Sequence, residues 1–164
     1  MFIQENAEDF FNAFKILRES NEGFTNGQDN SSRNSSSTTA FAALPAMGVD
    51  IVCLAFSAEL YIKNLHYVIT RETPRGHNIV KLFMSLSDEI QHEIYSHPSI
   101  AVYGWSFEDF NKQIEAISHG FEKWRYSHEY STLRYDSYFA LVFIEAVISA
   151  TESERCRSAA MVPK

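Results

Sequence analysis

The sequence has little of what many small folds lean on. Its two cysteines, Cys53 and Cys156, cannot form a disulfide framework and point to a reducing compartment. Six glycines and four prolines exclude collagen-like and Pro/Gly-rich disordered chains. Those glycines, at 23, 27, 48, 76, 104 and 120, spell neither a phosphate loop nor a dinucleotide fingerprint. No Cys-x-x-Cys or His-Glu-x-x-His occurs, so the expectation is no metal and no cofactor. A net charge of −7 gives no diffuse attraction to nucleic acid or to an anionic membrane. The longest apolar stretches, 40–56 and 138–150, are interrupted by Pro45, Gly48 and Asp50 in the first and by Glu145 in the second. Neither reaches the roughly 20 unbroken apolar residues that a membrane span requires. The first residues show no secretory pattern, and the expected location is the cytoplasm.

What is present is helical periodicity. At 164 residues and 45% apolar content, the chain suits one domain with a substantial core. Residues 1–19 read as an amphipathic helix, with Ala7, Phe10, Phe11, Phe14 and Leu17 on one face. Residues 20–40, rich in Ser and Asn, read as a flexible loop that buries too little to offset its ordering entropy. A helical bundle should fill 41–152, leaving 153–164 as a polar tail.

Within the bundle, Ile51, Leu54, Ala55, Ala58, Ile62, Leu65 and Ile69 mark a long helix that ends near Thr70. Glu59 and Lys63 form a favourably oriented i,i+4 pair on it. Short helices follow from Asn78 and from Ser87, and Ser106 opens another with a capping-box pattern. Phe107, Phe110, Ile114, Ile117, Phe121 and Trp124 continue that helix at gaps of three and four. The last helix, about 136–151, is apolar nearly all round, which places it at the bundle centre or across a subunit interface. Glu145, alone in it, calls for a hydrogen-bonding neighbour such as Arg134 or a Tyr hydroxyl. Glu89-Ile90-Gln91-His92 is a single Glu-x-x-His unit where di-iron bundles use two. The expected class is all-α, an antiparallel bundle of four to five main helices.

Three segments carry a family resemblance: Phe56-Ser57-Ala58-Glu59-Leu60-Tyr61-Ile62-Lys63-Asn64-Leu65, Pro74-Arg75-Gly76-His77-Asn78-Ile79-Val80-Lys81-Leu82-Phe83 and Phe121-Glu122-Lys123-Trp124-Arg125-Tyr126. Their succession over residues 50–150 resembles the HEPN family (higher-eukaryote and prokaryote nucleotide-binding domains). The resemblance implies a compact bundle of four or five helices, often homodimeric. Some members are metal-independent endoribonucleases, frequently toxins of two-gene modules, and use an Arg and a His separated by four to six residues. Others bind nucleotide or RNA, or act as scaffolds, without that pair.

Arg71 and His77, with five residues between them, have the spacing. A His titrating near neutrality can move the proton of a 2′-hydroxyl, and an Arg can hold the crowded phosphate bidentately. In the ribonuclease members, however, the pair opens a later helix, whereas here it crosses the Pro74/Gly76-broken connection. The alternative role for His77 is to cap the third helix or to bond a backbone group. Arg75, Arg125 and Tyr126 are the candidates for contacting nucleotide or RNA, by cation and ring. The expectation is therefore a non-catalytic nucleotide- or RNA-interacting accessory domain. The resemblance sets it in a bacterial defence or toxin–antitoxin context, as a homodimer through the last helix or bound to a partner protein. The alternatives are an endoribonuclease using Arg71 and His77, and a purely structural interaction module.

Overall fold

A computed structural model describes residues 2–27, 48–119 and 136–160, and every regular element within them is a helix. Seven follow in order: α1 (Ile3–Gly27), α2 (Val49–Thr70), α3 (Ile79–Met84), α4 (Asp88–Tyr95), α5 (Pro98–Ala101), α6 (Phe107–Ser118) and α7 (Ser137–Ala160). None of the described helices is long and apolar enough to cross a membrane.

The core sits where α2 and α7 are wrapped by the others. Leu54, Ala58, Ile62 and Leu65 of α2 meet Phe139, Phe143, Ile144 and Val147 of α7, all buried. A ring cluster closes one end: Phe83 lies edge-on to Phe110 at 5.6 Å and to Phe143 at 6.3 Å. Tyr95 packs edge-on against Phe107 and donates from its hydroxyl to the Trp105 carbonyl at 2.5 Å. Such ring pairs add about 0.5–1.5 kcal/mol each beyond the area they bury.

α1 runs eight residues past the expected boundary at 19, to Gly27, so residues 20–27 of the expected loop are helical; the remainder of 20–40 lies outside the described residues. Extending a helix that is already nucleated adds one hydrogen bond per residue without a new nucleation cost, which outweighs the polar composition. Its apolar face docks on α2: Ala7 and Phe14 are buried, Phe10 stacks on Phe56 at 5.3 Å, and Ser57 Oγ donates to the Ala7 carbonyl at 3.0 Å. α7 likewise continues to Ala160 where a polar tail from 153 was expected. Side chains hold those last turns down. Arg157 bonds Glu93 at 2.8 Å and also bonds Glu154, while Arg155 donates to Gln4 Oε1 at 2.6 Å. Glu145 is exposed on α7 and accepts from Ser99 Oγ at 2.9 Å, a partner the sequence did not suggest; Arg134 lies outside the described residues.

Ser106 caps α6 as expected, accepting from the Asp109 amide at 3.1 Å. Ser87 stands at the start of α4 without a side-chain cap bond, and α3 is capped not by His77 but by Asn78, which accepts from the Lys81 amide at 2.9 Å. α6 ends at Ser118, and Phe121 and Trp124 lie outside the described residues.

Candidate functional site

α2 is buried on almost every side, so its polar residues enter the interior with it. Ser57, Glu59, Lys63, Asn64 and His66 are all buried. The Glu59–Lys63 i,i+4 pair read from sequence is thus an interior one. Glu59 Oε1 accepts from Lys63 Nζ at 2.7 Å, with side chains only 9% and 11% exposed. The same oxygen lies 2.9 Å from His77 Nδ1. A carboxylate only accepts, so Nδ1 is the protonated nitrogen of His77 and Nε2 is turned outward. The His77 side chain is 79% exposed, leaving Nε2 open to a ligand.

Three consecutive residues build this arrangement. Gly76 takes φ 95°, a left-handed turn that side chains disfavour, and brings the chain back over α2. His77 then reaches Glu59, and Asn78 caps α3. The Ile79 amide donates to Ser118 Oγ at 3.0 Å, which ties the start of α3 to the end of α6. Together Phe56, Glu59, His77, Asn78, Ser118 and His119 border a hollow of about 320 Å³, floored by Ala55 and Ile79. It offers a carboxylate, two imidazoles, an amide, a hydroxyl and a ring face, a donor and acceptor set suited to a base or a sugar.

Arg71 belongs to a different place. It caps α2 with φ 63°, and its guanidinium lies over the Tyr67 ring at 5.9 Å. Glu59, which holds His77, precedes Tyr67 by eight residues on α2, about 12 Å along the axis. Arg71 lines a second hollow of about 410 Å³ with Gln4, Asn64, Tyr67, Val68, Arg155, Ser158 and Ala159. The structure therefore does not bring Arg71 and His77 together, and no bond or ring contact joins them. Arg75 is exposed and borders neither hollow. Arg125 and Tyr126 lie outside the described residues.

The buried histidine, His66, is structural. His66 Nε2 donates to the Leu82 carbonyl at 2.8 Å and lies 3.3 Å from Ser85 Oγ, locking α2 to α3. Glu89 and His92 are both exposed, while Gln91 between them turns inward and donates to the Leu86 carbonyl at 2.8 Å. Among the described residues no group of three or more His, Cys, Asp or Glu side chains could hold a metal ion.

The residues missed in the sequence are Glu59 and Lys63 as interior groups, and Asn64 and Arg155 as hollow-lining ones. The available signal was the stretch from Leu54 to Val68. It is too apolar around its circumference to leave a solvated face for its charges.

A family model of the HEPN domain matches residues 49–156, about two thirds of the chain. No curated protein and no solved structure matches it.

Proposed function

The chain belongs to the HEPN domain family, and from that premise we propose that it is a non-catalytic accessory domain that interacts with nucleotide or RNA through the Glu59–His77 hollow. One observation carries the reading. Glu59 fixes His77 by Nδ1 at 2.9 Å, roughly 12 Å along α2 from the ring on which Arg71 rests. A general acid–base pair needs both groups within about 3 Å of the reacting atoms. Within one chain, the separation of Arg71 from His77 favours recognition by His77 over catalysis by the pair. His77 offers its Nε2 side, and Asn78, Ser118 and the Phe56 ring supply further polar and stacking contacts at the same hollow.

A second reading draws on the same hydrogen bond. A carboxylate that fixes the tautomer of an exposed histidine is also how a general base is prepared, which favours the endoribonuclease with His77 as its proton carrier. One assay separates the two. Labelled RNA is incubated in EDTA with wild type, Arg71→Ala and His77→Ala, and binding is followed by fluorescence anisotropy. The accessory reading expects binding that is weakened in His77→Ala, with the RNA intact throughout. Cleavage by wild type that both variants lose would establish the ribonuclease instead. Binding unchanged in His77→Ala, without cleavage, would remove the hollow from the function altogether.

A further inference from the structure

The second hollow shares no residue with the first. It is bounded by Gln4 of α1, Asn64 and Tyr67 of α2, Arg71 at the α2 cap, and Arg155 and Ser158 of α7. Asn64 is only 6% exposed, yet its side-chain amide has no hydrogen-bond partner among the described residues. The enclosed side-chain atoms without a partner among the described residues are Tyr103 Oη and Asn111 Oδ1, so the Asn64 amide, unbonded, is open to water or to a ligand. Asn64 borders both this hollow and a recess of about 30 Å³ beside it, so its open side is the cavity.

Two guanidinium groups face the same space, and neither has a carboxylate within ion-pair distance among the described residues. Arg155 is engaged only by the neutral Gln4 oxygen at 2.6 Å, and Arg71 only by the Tyr67 ring. Glu152, the acid of this face, borders the adjoining recess and makes no ion pair with Arg155. In a chain of net charge −7, two arginines without a carboxylate partner among the described residues, beside an amide that opens on the cavity, form a local exception. Arg71 also occupies a left-handed cap, a position that glycine ordinarily takes, and so keeps its guanidinium at this spot.

We infer that this hollow binds a phosphate monoester. A dianion balances both guanidinium charges, whereas a carboxylate or a phosphodiester balances one. Three terminal oxygens can accept from Arg71, Arg155, the Asn64 amide and the Ser158 hydroxyl together, with arginine's planar fork matched to such oxygens. The volume of about 410 Å³ accommodates the phosphate and the sugar that carries it. The inference does not rest on the Glu59–His77 hollow, which can fail its own test without touching this one.

The test uses calorimetric titration and thermal melting of the full chain with inorganic phosphate, ribose 5-phosphate, AMP and phosphate-free ribose. One saturable site is expected for the phosphates, with a matching rise in melting temperature and no response to ribose. Arg155→Gln should weaken it about tenfold or more, the loss of a charged hydrogen-bonded contact. Asn64→Leu should abolish the response to phosphate while melting no lower than unliganded wild type, because it removes an unbonded amide. Ser158→Asp, exposed near the C-terminal end of α7, should repel the ligand with the melting temperature little changed. No saturable binding of any phosphate would overturn the inference. So would affinity unaltered in Arg155→Gln and Ser158→Asp, or ribose bound as tightly as its phosphate.

Discussion

Replacing Glu59 by alanine tests whether the interior charge cluster organises the bundle or merely decorates it. The variant removes the acceptor of two bonds, and the two losses are unequal. His77 is 79% exposed, so water takes over its Nδ1–H and little stability goes with it. Lys63 is 11% exposed and is left with its ammonium inside the bundle. Breaking a buried ion pair by deleting one partner costs about 3–5 kcal/mol. The vacated carboxylate borders a hollow of about 320 Å³ that water can enter, which puts the loss near the lower figure, about 3 kcal/mol. For a domain of this size that is a fall of roughly 6–12 °C in melting temperature. The second half of the cycle is sharper. In Glu59→Ala/Lys63→Met no charge is stranded, so the double variant should recover much of the loss, with a coupling energy of about 1–3 kcal/mol. Urea denaturation followed by circular dichroism measures all four corners. A Glu59→Ala loss below about 0.5 kcal/mol, or additivity with Lys63→Met, would refute the claim that this pair is interior in its energetics as well as its geometry.

Three further outcomes follow from the same structure. Burial, and after it the Asp50 carboxylate, push the Cys53 thiol up, so at about pH 8 iodoacetamide should label the exposed Cys156 well before Cys53; equal rates by mass spectrometry would contradict this. The Ser106 hydroxyl and the Lys112 ammonium hold the Asp109 carboxyl below its ordinary 3.8. Its folded value lies under the unfolded one, so its stabilisation is fully present above about pH 4 and is lost as pH falls through the folded value. The gap in urea midpoint between wild type and Asp109→Asn should therefore narrow from about pH 6 to about pH 3, and a constant gap would be the contrary result. In Gly76→Ala the added carbon meets nothing within 4 Å, so only the φ of +95° opposes it, at about 1–2 kcal/mol. An unchanged melting temperature there would mean the turn does not hold that conformation.

Most of the helices and the Ser106 cap were legible because both are local. The 3-4 spacing of Phe107, Phe110, Ile114 and Ile117 and the Ser106 cap each lie within a few residues, and the structure realises them as read. Burial of charge was not legible in the same way. Glu59 and Lys63 at i,i+4 look identical on a solvated face and on an interior one. The difference is made by α1, α3 and α7 arriving from elsewhere in the chain. The ends of α1 and α7 escaped for a related reason. Composition predicts whether a segment can nucleate a helix, whereas Arg155 and Arg157 stabilise one already running by bonding Gln4 and Glu93, 151 and 64 residues away.

The Arg71–His77 spacing shows where counting residues stops informing. Five intervening residues satisfy the pattern of a ribonuclease pair, but two left-handed positions, Arg71 at φ 63° and Gly76 at φ 95°, bracket the connection. Between them the chain doubles back, so His77 lands beside Glu59 while Arg71 stays at the end of α2. The two hollows also differ in how they relate to the family match at 49–156. Every residue bordering the Glu59–His77 hollow falls inside it. The arginine hollow draws Gln4 from before the match and Ser158 and Ala159 from after it. The first is thus chemistry that the shared part of the fold can build unaided. The second takes part of its lining from α1 and the end of α7, which lie outside the matched residues.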